Sequence, residues 1–175
     1  MPVRKRLQIT GPAMAFVTTA VRNWTPILSD QALAREVALQ LHETSSHFEA
    51  SVIAYVIMPS HVHAILGLKR VEELSRLMQA FKALATMRVV PMLLSGQRAQ
   101  FGADRKFQFW RPRFDDLIIW SEEQFRTKVE YIHNNAVKAG LSERGIDYRF
   151  SSARDWLLGE AGVIPIDKTW SWQSQ

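Results

Sequence analysis

The chain has 175 residues, is 47% hydrophobic and carries a formal net charge of +5, which suits one domain with a substantial core and favours polyanionic partners such as nucleic acid or an anionic membrane surface. The absence of cysteine excludes disulfide bonds and thiolate metal sites. No apolar run approaches the roughly 20 residues of a membrane-spanning helix, so we expect a cytoplasmic protein with no membrane partner.

The first part of the chain predicts strands and helices in alternation. Apolar and β-branched runs indicate strands, and a 3.6-residue apolar period after a capping residue indicates a helix. These patterns predict a strand over Met14–Val21, a helix from Ser29 or Asp30 to about Glu43, a strand over Val52–Met58, and its returning hairpin strand His61–Leu68.

The second part adds two helices and one strand. The patterns predict a helix over Val71–Arg88, a polar loop over Ser95–Arg105, a strand within Phe107–Trp120 that is broken near Pro112, and a helix from the capping residue Ser121 to about Gly140. The whole order predicts an α+β fold: a ferredoxin-like two-layer sandwich with an antiparallel sheet and helices packed on one face. We expect one domain over residues 1–158 and a C-terminal tail over 159–175.

Two histidines lie on the second strand of the predicted hairpin. His61 and His63 are two residues apart, so both imidazoles point to the same face of the sheet and Val62 points to the other. Two neighbouring neutral imidazoles are a natural half-site for a divalent metal. The same spacing also fits two polar residues on a solvated strand face.

The last predicted helix has a polar ridge beside its apolar stripe. Tyr131 and Asn135 are four residues apart and share a helix face, with Lys128 and Lys138 to either side. The core stripe consists of Phe125, Val129, Ile132 and Ala136. A phenol, an amide and two ammonium groups suit phosphate chemistry, although an ordinary solvated ridge has the same pattern.

Four segments occur together in a characteristic order: MPSHVH at 58–63, WRPRFD at 110–115, YIHNNAVKAGL at 131–141 and SSARD at 151–155. In this combination the chain resembles the REP-associated tyrosine transposases, relatives of the single-tyrosine H-U-H transposases of small insertion sequences, over about residues 9–158. It departs from the family in having Ala136 where proline is usual and Asp116 where histidine is frequent.

The resemblance implies a chemistry and a set of residues. Tyr131 would attack a scissile phosphate of single-stranded DNA beside a hairpin, giving a 5′-phosphotyrosine link and a free 3′-hydroxyl. His61, His63 and the side-chain oxygen of Asn135 would bind the metal, which the family implies is Mg²⁺ or Mn²⁺. By ligand softness alone, two imidazoles and an amide suit manganese or zinc better than magnesium.

Basic side chains complete the expected DNA-binding surface. The candidates are an N-terminal arm, an aromatic and basic segment, and two lysines of the tyrosine helix: Arg4, Lys5, Arg6, Arg111, Arg113, Lys128 and Lys138. A transposase of this kind would be associated with the nucleoid, as a monomer or a homodimer. Three alternatives stay open: a replication initiator or relaxase, a non-enzymatic hairpin-binding protein, and a structural α+β domain.

Overall fold

The computed structural model describes residues 8–103 and 106–170. Short 3-10 turns connect its main elements. In chain order these elements are β1 (Ala13–Ala20), α1 (Gln31–His47), β2 (Ser51–Ile57), β3 (His61–Leu68), α2 (Leu74–Val89), α3 (Ser95–Ala99), β4 (Asp115–Ile119), α4 (Glu122–Lys138) and α5 (Ala153–Leu158).

The four strands form one sheet in the order β2-β3-β1-β4. Every neighbouring pair is antiparallel, which confirms the predicted α+β fold. The register of β1 against β3 places Thr18 opposite His63 and Ala20 opposite His61. The register of β1 against β4 places Thr18 opposite Asp115. The two histidines therefore lie next to the centre of the sheet rather than at an edge.

The two faces of the sheet are covered differently. Helices α1 and α2 pack on one face, called here the closed face, around residues such as Val17, Val62 and Phe81. Helix α4 packs on the other, called here the open face, where Ile132 and Ala136 meet the strands. The prediction that the helices pack on one face only is therefore wrong, because α4 packs on the other face. Strand β2 is apolar on both sides, and every residue of β3 after His61 is buried; such strands need cover on both sides.

Helix α4 begins and ends as its sequence predicts. The Ser121 hydroxyl accepts a hydrogen bond from the Gln124 N–H at 3.1 Å, and the Gln124 side chain accepts one from the Trp120 N–H at 2.8 Å. These bonds satisfy N–H groups that have no partner within the helix. At the other end Gly140 adopts a φ of 71°, a left-handed conformation that suits glycine after a helix.

Two predicted segments differ from the structure. The polar stretch predicted as a loop over Ser95–Arg105 contains the short helix α3. Within Phe107–Trp120, regular pairing begins only at Asp115, while Trp110 forms an isolated bridge to Val21. Pro112 lies between them and has no N–H to donate to a strand ladder, which explains the interruption.

The described part of the C-terminal tail packs on the domain. Ile164 is buried in the core of the closed face, and the Asp167 N–H donates to the Val52 carbonyl at 2.8 Å. The division between a domain and a tail at residue 158 stays a prediction. Among residues 8–103 and 106–170, no helix has both the length and the apolar character needed to cross a membrane.

Candidate active site

The site is centred on the two histidines of β3, which point to the open face as predicted. The ring centroids of His61 and His63 are 4.7 Å apart. His63 is 5% exposed, and His61 is half-buried at the start of the strand. The two imidazoles are therefore adjacent, held by backbone pairing and partly shielded from water.

Two hydroxyl groups fix the orientation of these rings. The Thr18 Oγ1 lies 2.7 Å from the His63 Nδ1, and the Ser60 Oγ lies 3.1 Å from the His61 Nδ1. In metal sites a hydrogen bond at one imidazole nitrogen holds the ring so that the other nitrogen meets the metal. Both Nδ1 atoms are engaged here, so Nε2 is the nitrogen of each ring that could meet a metal.

Helix α4 brings Tyr131 to the same place. The Tyr131 ring centroid lies 5.2 Å from that of His63 and 5.9 Å from that of Phe16, while 37% of the residue remains exposed. Phe16 also stacks on His63 at 5.5 Å. The phenol is thus placed beside the histidines by packing and remains accessible to a large substrate.

Asn135 lies one turn further along α4, and its side chain forms a hydrogen bond to His61. The two residues of the polar ridge therefore meet different histidines: Tyr131 contacts His63, and Asn135 contacts His61. An amide so close to the imidazole pair can supply an oxygen donor to the same ligand.

Burial keeps both imidazoles neutral at pH 7. It lowers the pKa of His63 to about 3, and a charge on a protonated His61 and the charge of Lys128 act in the same direction. It also lowers the pKa of His61, while the hydrogen bond to Asn135 acts in the opposite direction. The neutral ring is the form that binds a metal.

The donor set fits a divalent cation that completes its coordination with water or substrate oxygens. It comprises two oriented imidazoles and one amide oxygen. Within the described residues, no cluster of three or more His, Cys, Asp or Glu side chains could hold a metal.

Two lysines of α4 surround the phenol. The Lys128 Nζ lies 5.5 Å from the Tyr131 ring centroid and 4.7 Å from that of Phe16. The Lys138 Nζ lies 5.7 Å from the Tyr131 ring on its other side. Their charges favour an anionic group such as a phosphate at this point.

The other predicted DNA-binding residues lie in different settings. Arg111 forms an ion pair with Asp115, so part of its guanidinium is already engaged. Arg113 is exposed on the following turn. Arg4, Lys5 and Arg6 lie outside the described residues, and their role stays a prediction.

His133 lies outside the site. It is buried on α4, and its Nε2 lies 3.0 Å from the Ser152 Oγ. Ser152 in turn accepts a hydrogen bond from the Tyr55 N–H at 3.0 Å. His133 therefore links α4 to β2.

The sequence did not point to three residues that shape the site. Thr18 and Phe16 belong to β1, and their contacts with His63 follow from strand register, which the sequence does not state. The Lys82 Nζ donates to the carbonyl oxygens of Arg111, Pro112 and Arg113. Lys82 therefore fixes the turn that carries both candidate arginines.

Comparisons with known proteins identify the family and similar folds. Residues 15–135 match the model of a family described as "Transposase IS200 like". A protein of Haemophilus influenzae described as a REP-associated tyrosine transposase is 25% identical over 114 residues, which is 63% of this chain and 62% of that protein. The match thus spans less than two thirds of that relative.

Two solved structures are similar in fold. One is a REP-associated tyrosine transposase bound to a REP hairpin, with a TM-score of 0.70 and 22% identity over 98% of this chain and 95% of that one. The other is a crystal structure described as that of a transposase from Deinococcus radiodurans, with a TM-score of 0.53 and 19% identity over 77% of this chain and 96% of that one.

Proposed function

The chain belongs to the IS200-like transposase family, and from this premise we propose that it cuts and rejoins single-stranded DNA beside hairpins, with Tyr131 as nucleophile and a divalent metal at His61 and His63. The observation that carries the proposal is the contact between the Tyr131 and His63 rings at 5.2 Å. These residues are far apart in sequence and meet only because α4 docks on the open face.

Tyr131 is the tyrosine suited to this role. The chain has three tyrosines. Tyr55 is completely buried, and burial raises its pKa to about 12. The Tyr148 hydroxyl donates to the Ile57 carbonyl at 2.8 Å. Tyr131 is the exposed one of the three and has two cationic neighbours.

The proposed step is a transesterification. The Tyr131 Oη attacks the scissile phosphorus, an Oη–P bond forms, and the bond from phosphorus to the 3′ oxygen breaks. The phenol loses its proton, and the departing 3′ oxygen gains one to become a hydroxyl. The number of phosphate ester bonds is unchanged, so a 3′-hydroxyl can reverse the step without an external energy source.

The surrounding side chains would bind the metal, supply positive charge and hold the His63 ring. His61, His63 and Asn135 would hold the metal, Mg²⁺ or Mn²⁺, whose role is to polarise the phosphate and offset the charge on its oxygens. Lys128 and Lys138 hold positive charge near the Tyr131 ring. Phe16 and Thr18 keep the His63 ring in place.

The substrate class follows from the family and the charge. A net charge of +5 favours a polyanion, and a homologous fold has been solved on a REP hairpin. We therefore propose single-stranded DNA that contains a palindromic hairpin as the substrate.

A covalent trapping experiment tests the proposal. The protein is incubated with Mn²⁺ and end-labelled oligonucleotides that carry a hairpin and single-stranded flanks, and adducts are resolved on a denaturing gel. The wild type should form an adduct that EDTA prevents. Tyr131→Phe should form none, whereas Tyr148→Phe, the matched loss of a phenolic hydroxyl, should retain it.

The other outcomes identify the alternatives. An adduct that survives Tyr131→Phe would overturn the choice of nucleophile. Binding without an adduct across a broad oligonucleotide library would indicate a hairpin-binding protein. Adducts that form equally without a hairpin would indicate chemistry of the replication-initiator or relaxase type.

The metal site has its own test. Binding of Mn²⁺ is followed by electron paramagnetic resonance in the absence of DNA. The double variant His61→Ala/His63→Ala should lose the bound signal, and His47→Ala, a change on α1 far from the open face, should keep it. Equal Mn²⁺ binding by the double variant and the wild type would contradict the metal assignment.

A further inference from the structure

An exposed tryptophan lies beside the histidine pair. Trp24 is 52% exposed, and its ring centroid is 5.4 Å from that of His61 at an interplanar angle of 67°. It extends the row of rings formed by His61, His63 and Tyr131 on the side opposite to the tyrosine. The proposed chemistry gives this indole no role.

The backbone at this position is unfavourable for a large side chain. Asn23 and Trp24 both have a φ of 55°, in the left-handed region. Asparagine tolerates this region, but a bulky aromatic residue rarely occupies it. Because half of Trp24 is exposed, burial of the indole is a weak explanation for placing it there. Residues held in such conformations concentrate at functional sites.

The loop that carries Trp24 is firmly attached to the site. The Val21 N–H donates to the Ser60 carbonyl at 2.8 Å, directly before His61, and the Trp24 N–H donates to Val21 at 3.0 Å. The Arg22 guanidinium donates to the Phe101 carbonyl at 3.0 Å. The backbone that carries the indole is therefore anchored next to the histidines.

We propose that Trp24 is a stacking platform for a nucleobase of the single-stranded substrate, next to or nearly next to the scissile phosphate. The proposal rests on the proposed function, which supplies the substrate, and adds a base-binding subsite to it. Aromatic side chains hold unpaired bases by stacking, with little dependence on sequence because every base has a flat face. A base held on Trp24 would fix how the phosphate enters the space between the histidines and Tyr131.

The test uses DNA binding in a background that cannot cleave. In Tyr131→Phe protein, affinity is measured by fluorescence anisotropy for hairpin oligonucleotides that lack one base at a time along the single-stranded flank. One position should show a loss of about 5- to 100-fold, the range for one stacked base. The added variants are Trp24→Phe, which keeps a ring, and Trp24→Asn, which suits the left-handed backbone. The control is Trp120→Asn. Trp120 is exposed and follows the end of β4 that is farther from Thr18 and the histidines.

Trp24→Asn should weaken binding of the intact oligonucleotide by about the same factor as removal of the stacked base does in the Trp24 protein. In the Trp24→Asn protein, removal of that base should cause no further loss of affinity, while the effects at the other positions stay the same. Trp24→Phe should restore most of the penalty, and Trp120→Asn should match its parent. Mn²⁺ binding should be unchanged, since a residue that merely shielded His61 would alter it.

An unchanged profile of base removal in Trp24→Asn, or an equal loss at every position, would overturn the inference. These outcomes are separate from those of the proposed function. If the wild type forms no adduct, the proposed chemistry fails, and the binding profile still decides whether Trp24 stacks a base.

Discussion

The closed and open faces of the sheet are made by the same strands but are finished differently. On the closed face α1 and α2 bury an extensive apolar cluster. On the open face α4 covers a smaller cluster and leaves the strand ends around His61, His63 and Thr18 for polar side chains. Successive side chains along a strand point to opposite faces. The same strands can therefore place the large apolar core on the closed face and the residues of the candidate site on the open face.

The largest expected effect is on stability and comes from the closed face. Phe81 is fully buried on α2, and Phe81→Ala should lower the free energy of unfolding by about 3–5 kcal/mol because it leaves a cavity. Leu117→Ala is the matched truncation on the open-face side of β4, where the side chain is 44% exposed, and should cost less than about 1 kcal/mol. Urea unfolding measures both, and equal losses would contradict the contrast between the faces.

The next effect is a loss of stability in acid. Burial lowers the pKa of His133 to about 4, below its ordinary value of about 6.5. The folded state binds this proton less well than the unfolded state, so the contribution to stability is complete above pH 6.5 and declines as the pH falls toward 4. Between about pH 7.5 and pH 5 we expect a loss on the order of 2 kcal/mol from this residue.

Urea unfolding in EDTA at several pH values measures this loss. His133→Gln should show a shallower decline over the same window. The lowered pKa values of His61 and His63 should leave some slope in the variant. Parallel pH profiles for the variant and the wild type would contradict the assignment to His133.

A smaller effect distinguishes two adjacent threonines. Thr18 orients His63, so Thr18→Val should weaken Mn²⁺ binding about 10- to 100-fold, as for other residues that orient a ligand. Thr19 points to the closed face, and its buried hydroxyl has no hydrogen-bond partner among the described residues. Thr19→Val should leave Mn²⁺ binding unchanged and preserve or raise stability. Calorimetric titration with Mn²⁺ checks the pair, and equal affinities would remove Thr18 from the site.

The smallest effect concerns charge beside the phenol. Lys128→Met should slow adduct formation several-fold and make the dependence of DNA binding on salt shallower by about one phosphate contact. Arg126→Met is the control, since Arg126 is exposed on α4 and pairs with Glu122. Single-turnover rates at a series of salt concentrations measure both changes. Equal salt slopes for Lys128→Met and Arg126→Met would contradict a special position for Lys128.

Much of the fold could be predicted because its elements follow local patterns. The bounds of β3, the Asp30 and Ser121 caps and the core stripe of α4 agree with period and capping. The shared face of His61 and His63 follows from strand geometry alone. The continuous apolar run of β2 also indicates a second covering layer, which the prediction of helices on one face did not use.

The rest depends on contacts between distant segments. No local pattern states that β1 lies between β3 and β4, so the Thr18–His63 contact and the Phe16 support were outside the reach of sequence reasoning. The pairing of Arg111 with Asp115 and the left-handed backbone at Trp24 likewise depend on tertiary anchoring. Tyr131 could be chosen from helix periodicity and family resemblance, but its distance from His63 could not.

The short turn between β2 and β3 has a consequence for how this protein can change. The Met58 N–H donates to the His61 carbonyl at 2.8 Å and closes the turn. Adding or deleting one residue there would shift β3 by one position, turning His61 and His63 toward the apolar core of the closed face and Val62 toward the open face. Point substitutions in the turn leave that alternation intact. The number of residues in this turn is therefore more tightly constrained than their identity.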